Sequence, residues 1–377
     1  MMQFIDLTAQ YQALKTQINA NIQSVLDSAQ FIGGPFVSKL EERLAGFTGR
    51  KYCVTCANGT DALQVAYMAL GIGPGDAIFC PDVTFVASTE PAKMLGAVPV
   101  FCDITLDTYN LSPDSLERQV QAVTAEGKLT PKAVVAVDIL GNPCDYDKIE
   151  AVCKKYDLLL IEDAAQSFGA SYKGKRCGCF GTIAATSFFP AKPLGCYGDG
   201  GAIFMDDAEL YKLCRSLCVH GKGPGGKYEN IRVGLNSRLD ALQAAVLLPK
   251  LDALEQYELE ARQAIVQRYN TAFAGKLVTP FVAEQCVSVY AQYALLAKNT
   301  QERGNMVEAL DRKNIPNMIY YPLPQHKLPV FQNEAFYGET FKNALDYCAR
   351  TFSLPMHPYL TQEEQQKVID AVLEALK

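Results

Sequence analysis

The sequence predicts an α/β fold built on a parallel β-sheet covered by helices on both faces. Short apolar segments without polar alternation recur between residues 52 and 161, which is typical of buried parallel strands. Segments with helical spacing of apolar residues separate them, as in repeated strand–helix–strand units. The composition agrees, because 49% of the residues are hydrophobic and 20% are charged, as in ordinary globular proteins. A chain of 377 residues is long enough for about two to three domains.

Two helices are predicted to precede the sheet. The first covers residues 10–30, where apolar side chains recur at helical spacing, and the second ends at Gly49. Strands and helices then alternate, and Asn58 is a candidate cap for the helix that follows the first strand. The predicted strands are 52–55, 78–80, 98–102, 133–137 and 158–161, and the predicted helices run from 58 to about 70 and over 87–95, 113–124 and 146–156.

The second half of the chain has a different pattern. Residues 177–205 indicate apolar strands joined by tight Gly/Pro loops, and residues 219–236 form a glycine-rich segment containing Lys222, Lys227 and Arg232, which indicates a long functional loop. A helical pattern covers 239–273, shorter mixed elements begin after 278, and a last helix covers 361–376. We therefore expect a large domain over residues 1–260 and a smaller C-terminal domain over 261–377.

The charge balance excludes some classes of partner. There are 35 Lys and Arg residues against 41 Asp and Glu residues, a net charge of −6. A mildly acidic chain has no general electrostatic attraction for nucleic acid or anionic membranes. Residues 1–12 lack a signal pattern and no apolar run reaches the ~18 residues of a membrane span, so we expect a cytoplasmic protein.

The cysteines and histidines point to neither disulfides nor a metal. The 13 cysteines mostly stand singly in apolar segments, where a thiol behaves as a small hydrophobe. Cys53 and Cys56 form the one C-x-x-C pair, and a thioredoxin-type redox motif there stays an alternative. The 3 histidines are too far apart for a local ligand motif, so no metal is expected.

Lys192 is the first candidate for chemistry. It lies in Phe188-Phe189-Pro190-Ala191-Lys192-Pro193-Leu194-Gly195, and between 177 and 205 the only other charged residue is Asp199. Apolar surroundings lower the pKa of an amine and favour its free form. A lysine of this kind suits Schiff-base chemistry, although a loop lysine with its stem on apolar surface would also fit the pattern.

Further polar groups follow other predicted strands. Asp163 ends the apolar strand Leu158-Leu159-Leu160-Ile161, at the edge where α/β sheets bind ligands. A carboxylate there could hold a protonated pyridine nitrogen, as pyridoxal phosphate requires, and Gln166 could contact the ring's phenolic oxygen. A solvated strand end is the alternative interpretation of Asp163.

A phosphate cradle is predicted at the turn Ala57-Asn58-Gly59-Thr60-Asp61 between a strand and a helix. Gly59 allows close approach of the backbone, helix N–H groups attract a phosphate, and the Thr60 hydroxyl adds a donor. Ser187 is a further phosphate ligand candidate. Phe85 could stack on an aromatic cofactor, or could simply be a core residue. Together these groups predict a pyridoxal 5'-phosphate site.

The sequence also resembles a known family in several motifs. These are Phe4-Ile5-Asp6-Leu7 with Gln10-Tyr11, Asn58-Gly59-Thr60-Asp61-Ala62-Leu63, Ile161-Glu162-Asp163-Ala164-Ala165-Gln166-Ser167, Ser187-Phe188-Phe189-Pro190-Ala191-Lys192, Gly198-Asp199-Gly200-Gly201 and Gly234-Leu235-Asn236-Ser237-Arg238-Leu239-Asp240. They resemble, in the same order and over essentially the whole chain, the DegT/DnrJ/EryC1/StrS family of nucleotide-sugar aminotransferases.

The resemblance implies a fold and a set of residue roles. It implies the fold-type-I architecture of pyridoxal-phosphate enzymes, with a seven-stranded mixed sheet, a smaller C-terminal domain, and a homodimer with shared active sites. Lys192 would bond to the cofactor aldehyde, Asp163 would pair with the ring nitrogen and Gln166 would contact the ring oxygen. The phosphate would be held by Gly59, Thr60, Ser187 and, from the neighbouring subunit, Asn236. Arg238 and His326 are candidate sugar contacts.

The resemblance also implies a reaction, in which L-glutamate donates an amino group to a keto-sugar nucleotide. Members with histidine at the lysine position are sugar dehydratases, so Lys192 favours amino transfer. The sequence as a whole most resembles enzymes that act on UDP-2-acetamido-2-deoxy-3-oxo-glucuronate in the synthesis of bacterial surface polysaccharide. Arg238 would suit the extra carboxylate of that substrate.

Three other functions are alternatives to this interpretation of the sequence. A dTDP-3-keto- or 4-keto-6-deoxyhexose acceptor and a non-catalytic cofactor-binding regulatory protein stay open. A nicotinamide-dependent oxidoreductase is disfavoured, because Gly59 alone stands where the dinucleotide fingerprint needs three spaced glycines.

Overall fold

A seven-stranded mixed sheet forms the centre of the protein, whose computed structural model describes residues 2–226 and 228–377. The strands in chain order are β1 Tyr52–Cys56, β2 Asp76–Pro81, β3 Val98–Cys102, β4 Thr130–Val137, β5 Leu159–Asp163, β6 Ser171–Tyr172, β7 Lys175–Arg176, β8 Ile183–Ser187, β9 Gly201–Met205, β10 Cys286–Val287, β11 Tyr293–Leu296 and β12 Thr351–Leu354.

The strand order of the large sheet is β1-β9-β8-β5-β4-β2-β3. β9 runs antiparallel to both β1 and β8, and the other neighbours are parallel. The carboxyl ends of β1, β2, β4, β5 and β8 therefore meet at one edge of the sheet. The predicted α/β class is confirmed, and one reversed strand makes the sheet mixed.

Helices cover both faces of this sheet, and further helices pack with the elements that follow it along the chain. They are α1 Leu7–Ser28, α2 Pro35–Thr48, α3 Gly59–Ala69, α4 Glu90–Met94, α5 Pro113–Glu126, α6 Tyr146–Tyr156, α7 Ala208–Leu217, α8 Ala241–Ala253, α9 Leu259–Phe273, α10 Thr300–Arg312, α11 Lys342–Arg350 and α12 Gln362–Ala375. The predicted helix over 87–95 is divided into a 3-10 turn, Val86–Ser88, and α4, whose first turn holds Pro91. Proline lacks an N–H group and is best tolerated in a first turn, where that group would have no acceptor within the helix.

Alternate side chains of each central strand explain the apolar runs in the sequence. Val135 and Val137 of β4 pack into the cluster that contains Leu63 of α3. Val134, on the other side of the strand, packs into the cluster that contains Leu116 of α5. Because both sides are buried, both sets of positions are apolar.

The chain after the large sheet forms a second cluster of elements. β11 and β12 pair antiparallel, and their buried side chains pack with α9, α10 and α12. The predicted helical pattern over 239–273 is confirmed as α8 and α9, joined by a π-helical turn, Leu254–Glu258. The division at residue 260 falls at the start of α9 and stays a prediction.

The Cys53/Cys56 pair does not have the environment of a redox motif. Both residues lie in β1 as buried free thiols, and burial raises the pKa of each thiol well above its usual value. Reactive C-x-x-C pairs require a lowered pKa. Within residues 2–226 and 228–377, no helix is both long and apolar enough to cross a membrane.

Phe204 tests the packing of the sheet. It is fully buried in β9 and its ring stacks near Phe168. We expect Phe204→Ala to lower the free energy of unfolding by about 3–5 kcal/mol, measured by urea denaturation. Phe281→Ala is a matched control, because its ring is 50% exposed and should lose clearly less. Equal losses in the two variants would contradict the assigned core.

Candidate active site

Gly59 and Ser187 bring two segments of the chain together at the carboxyl edge of the sheet. A Cβ atom added to Gly59 would lie 2.6 Å from the Ser187 Cβ. One added to Gly201 would lie 2.4 Å from the Asn58 carbonyl oxygen. The turn after β1, the end of β8 and the start of β9 therefore pack backbone against backbone, and side chains at these two glycines would fill the space.

The start of α3 gives this turn the character of an anion site. Asn58 caps the helix, its side chain accepting a hydrogen bond from the Asp61 N–H at 2.8 Å. The first N–H groups of a helix have no acceptor within the helix and attract anions. The Thr60 hydroxyl follows Gly59 in the chain, and the Ser187 side chain packs against Gly59. The turn therefore suits a phosphate group.

Asp163 ends β5 as an almost fully buried carboxylate. One oxygen accepts a hydrogen bond from the Ser88 hydroxyl at 2.7 Å and the other accepts one from the Ala165 N–H at 3.1 Å. Burial raises the pKa of the Asp163 carboxyl above its usual value, while these bonds and the charge of Lys192 oppose the rise. A cation in this site, such as a protonated ring nitrogen, would compensate the buried charge.

Lys192 projects from a loop that its own backbone closes. The Lys192 N–H donates to the Phe189 carbonyl and the Cys196 N–H donates to the Phe188 carbonyl, both at 2.8 Å. The side chain is partly accessible, yet burial of the amine lowers its pKa, against the opposing charge of Asp163. A lowered pKa increases the fraction of free, nucleophilic amine at neutral pH.

Gln166, Tyr321 and Phe85 lie close together. The Gln166 Oε1 atom accepts a hydrogen bond from the Leu140 N–H at 2.8 Å, and its Nε2 donates to the Tyr321 hydroxyl at 3.3 Å. The Tyr321 ring centroid is 6.3 Å from that of Phe85, whose side chain is 54% exposed. An exposed ring in this position is free to stack on a planar ligand, so the core interpretation of Phe85 does not hold.

Two further residues belong to this site that the sequence did not predict. Tyr321 contacts Gln166 from the distant end of the chain, and its Tyr320-Tyr321-Pro322 context was the only available signal. Ser88 is buried, binds Asp163, and is itself 2.8 Å from the Thr84 hydroxyl. Its signal was a hydroxyl three positions after Phe85, between Ala87 and Thr89.

Within the described part of the chain, the remaining predicted residues His326, Asn236 and Arg238 make no hydrogen bond to this cluster. His326 is buried, its Nδ1 lying 2.6 Å from the Asp82 carboxylate and its ring stacking on Phe341. Phe336 also packs against the ring, with centroids 5.6 Å apart. The role of His326 as a sugar contact stays a prediction.

Asn236 and Arg238 are exposed on the 219–238 segment. Arg238 lines an open cleft of about 870 Å³ together with Arg215, Lys222 and Arg232, and that lining includes neither Lys192 nor Asp163. Lys227, the third basic residue noted in this loop, lies outside the described residues. The cleft is rich in cationic groups and suits an anionic ligand or partner surface.

Comparison with known proteins identifies the family. The profile of the DegT/DnrJ/EryC1/StrS aminotransferase family matches residues 12–373. The chain is 47% identical over 361 residues to a UDP-2-acetamido-2-deoxy-3-oxo-D-glucuronate aminotransferase of Pseudomonas aeruginosa, covering 96% of each chain.

Solved structures agree in fold over the full length. A DegT/DnrJ/EryC1/StrS aminotransferase from Brucella abortus superposes with a TM-score of 0.96 at 43% identity, covering 99% of each chain. NtdA from Bacillus subtilis, with bound cofactor PMP (pyridoxamine phosphate), superposes with a TM-score of 0.87 at 26% identity, covering 100% of this chain and 85% of that one. From these matches, the chain belongs to the DegT/DnrJ/EryC1/StrS aminotransferase family.

Proposed function

We propose that this protein transfers an amino group from L-glutamate to UDP-2-acetamido-2-deoxy-3-oxo-glucuronate, for the synthesis of a bacterial surface polysaccharide. The observation that carries the proposal is the pairing of Lys192, an amine with a lowered pKa, with the buried carboxylate Asp163 in one site. The identity to the Pseudomonas aeruginosa enzyme over almost the whole chain supports the choice of acceptor.

The site fits pyridoxal 5'-phosphate. The cradle of Gly59, Thr60 and Ser187 would hold the phosphate, Asp163 would face the ring nitrogen, and Gln166 would face the ring oxygen. Phe85 would cover the flat face of the ring. When bound, this cofactor supplies an aldehyde that accepts the amino group and a ring that withdraws electrons.

The chain's own residues would guide the proton. Asp163, held by Ser88 and Ala165, would keep the ring nitrogen protonated. The free Lys192 Nζ would remove the proton from the donor's α-carbon and deliver it to the cofactor carbon as a general base and then acid. The same atom would reverse the transfer for the sugar, after 2-oxoglutarate has left.

The acceptor would use the exposed 219–238 segment. The Arg238 guanidinium would bind the uronate carboxylate in a bidentate manner, and Lys222 and Arg232 would bind the nucleotide diphosphate. We propose that Asn236 reaches the phosphate in a neighbouring subunit of a homodimer. His326 would contact the sugar through the part of its ring that Asp82 and Phe341 leave free.

Product analysis tests the proposed reaction. The purified protein, loaded with cofactor, is offered ¹⁵N-labelled glutamate and three acceptors: the UDP-linked 3-oxo-uronate, the matching UDP-linked 3-oxo sugar without the carboxylate, and a dTDP-linked 3-keto-6-deoxyhexose. We expect mass spectrometry to show labelled amino sugar mainly from the uronate. Preference for the dTDP sugar would overturn the acceptor, and no product from any acceptor would favour the regulatory interpretation.

Lys192→Ala should abolish transamination without unfolding the protein, because it removes the proposed nucleophile and base. Borohydride reduction followed by peptide mapping should place the cofactor adduct on residue 192 of the wild type and nowhere in the variant. Lys128→Ala, at an exposed lysine, is the control and should react like wild type. Substantial turnover by the Lys192 variant would refute its role.

Arg238→Ala should weaken the acceptor half-reaction more than the glutamate half-reaction. Loss of a charged hydrogen-bonding partner is worth about 1.5–3 kcal/mol, or about a 10- to 100-fold loss in kcat/KM for the uronate. Single-turnover kinetics separate the two halves, and Arg118→Ala, an exposed arginine, is the control. Equal losses in both halves would show that Arg238 does not bind the sugar.

Asp163→Asn should stabilise the cofactor-free protein at neutral pH. Because burial raises the folded-state pKa of this carboxyl, the native state holds more protons than the unfolded state as pH rises above about 4. The wild type therefore loses stability through that window, and the asparagine variant does not.

The measurement is the thermal midpoint of both proteins between pH 4 and pH 7. The difference in thermal midpoint between Asp163→Asn and the wild type should increase with pH. Asp147→Asn is the control, because its pKa is lowered by Lys173 and any effect should have the opposite sign. An apo variant that is no more stable than wild type at pH 7 would contradict the assigned burial.

A further inference from the structure

Lys250 of α8 is a lysine buried in the protein interior, with 1% of its surface exposed. Its Nζ donates a hydrogen bond to the Gly195 carbonyl and lies 4.6 Å from the centroid of the Tyr197 ring. Buried lysines are rare unless they are paired. The ammonium group of Lys250 is hydrogen-bonded to the backbone of a loop.

The loop that Lys250 holds is the loop that carries Lys192. Gly195 packs tightly onto the stretch just before that lysine, since a Cβ atom at Gly195 would lie 2.3 Å from the Pro190 carbonyl oxygen. A hydrogen bond to Gly195 therefore restrains Pro190 and its neighbours as well. Gln243, also of α8, accepts from the Tyr197 N–H at 2.8 Å and donates to the Tyr197 carbonyl at 3.2 Å.

A buried counter-charge accompanies Lys250 further along the helix. Glu258, in the π-helical turn, is fully buried and accepts hydrogen bonds from Gln10 at 2.8 Å and Tyr359 at 2.7 Å. Its second oxygen has no hydrogen-bond partner among the residues that the structure describes. The Glu258 charge raises the pKa of both Lys250 and Arg262 against their desolvation. Because π-helical turns often mark functional positions, this placement is consistent with a functional role.

We infer that Lys250 is a positioning residue for Lys192: its ammonium group fixes the Gly195 carbonyl, and with it the loop that presents the Lys192 amine. The inference rests on the proposed function of Lys192. Glu258 supplies the opposite charge and ties the arrangement to α1 through Gln10 and to the C-terminal part of the chain through Tyr359.

The energetics suit positioning better than stability. Burial lowers the pKa of the Lys250 amine to about 8, so that it remains mostly charged at neutral pH. Replacing buried ionic groups by apolar ones of similar volume is often neutral or stabilising. A charged group at this place is better explained by the geometry it imposes on the reactive loop, because errors of about 1 Å in such geometry can lower rates about 100-fold.

The test compares two ligands of the cofactor-free protein. Pyridoxal phosphate bonds to Lys192, whereas pyridoxamine phosphate has no aldehyde and binds through the phosphate cradle and Asp163 alone. We expect Lys250→Met to slow capture of pyridoxal phosphate, followed by absorbance and by borohydride trapping at residue 192, about 10- to 100-fold. The dissociation constant of pyridoxamine phosphate should change less than about threefold, well below a tenfold step of 1.4 kcal/mol.

The controls separate positioning from folding and from the proposed function. Lys128→Met, at an exposed position, should capture the aldehyde like wild type. If Lys250→Met does not fold, the double variant Lys250→Met/Glu258→Gln removes both buried charges and should still capture slowly. Wild-type capture, or equal weakening of both ligands, in the folded variant overturns the inference. An absence of any adduct at Lys192 in the wild type overturns instead the proposed role of Lys192.

Discussion

The Lys192 amine and the Asp163 carboxyl are both buried at one edge of the sheet, and the electrostatic interaction between them determines the properties of the site. Burial favours the neutral form of both the Lys192 amine and the Asp163 carboxyl. Each charge partly offsets the cost for the other. In the proposed function, a cofactor with a cationic ring nitrogen for the carboxylate and an aldehyde for the amine would satisfy both at once. The same burial that lowers the stability of the empty protein therefore prepares it for that ligand.

The sheet explains why these groups meet, and why the sequence could predict it. Parallel strands place their carboxyl ends at one edge, so Gly59, Asp163 and Ser187 could be assigned to one site from their positions after apolar runs. Gly59 and Ser187 are in contact. The charge of Lys192 acts on Asp163 and lowers the pKa of its carboxyl, against the effect of burial. β9 was not separable from its parallel neighbours by composition, because a buried strand is apolar whichever way it runs.

Contacts between distant segments could not be predicted in the same way. Tyr321 contacts Gln166 across 155 residues of sequence, and Asp82 contacts His326 across 244. Nothing in the local pattern around either residue encodes its partner. The exposure of Phe85 is of the same kind: the sequence allowed either stacking on a cofactor or a core position, and only the packing of the loop shows that the ring is exposed.

The loop that carries Lys192 depends on α8 and α9 as much as on the sheet. Its backbone closes on itself, and its buried side chains Phe188 and Leu194 pack into the apolar cluster that includes residues of α8. Polar contacts to a rigid element come from outside the loop. Gln243 and Lys250 supply those contacts from one helix, and Glu258 supplies the opposing charge where the helix widens into a π turn. In a sequence, charged residues within an apolar helical pattern predict a solvent-exposed face of the helix. Here Lys250 and Glu258 are buried instead, and Lys250 contacts the loop of Lys192 through the Gly195 carbonyl.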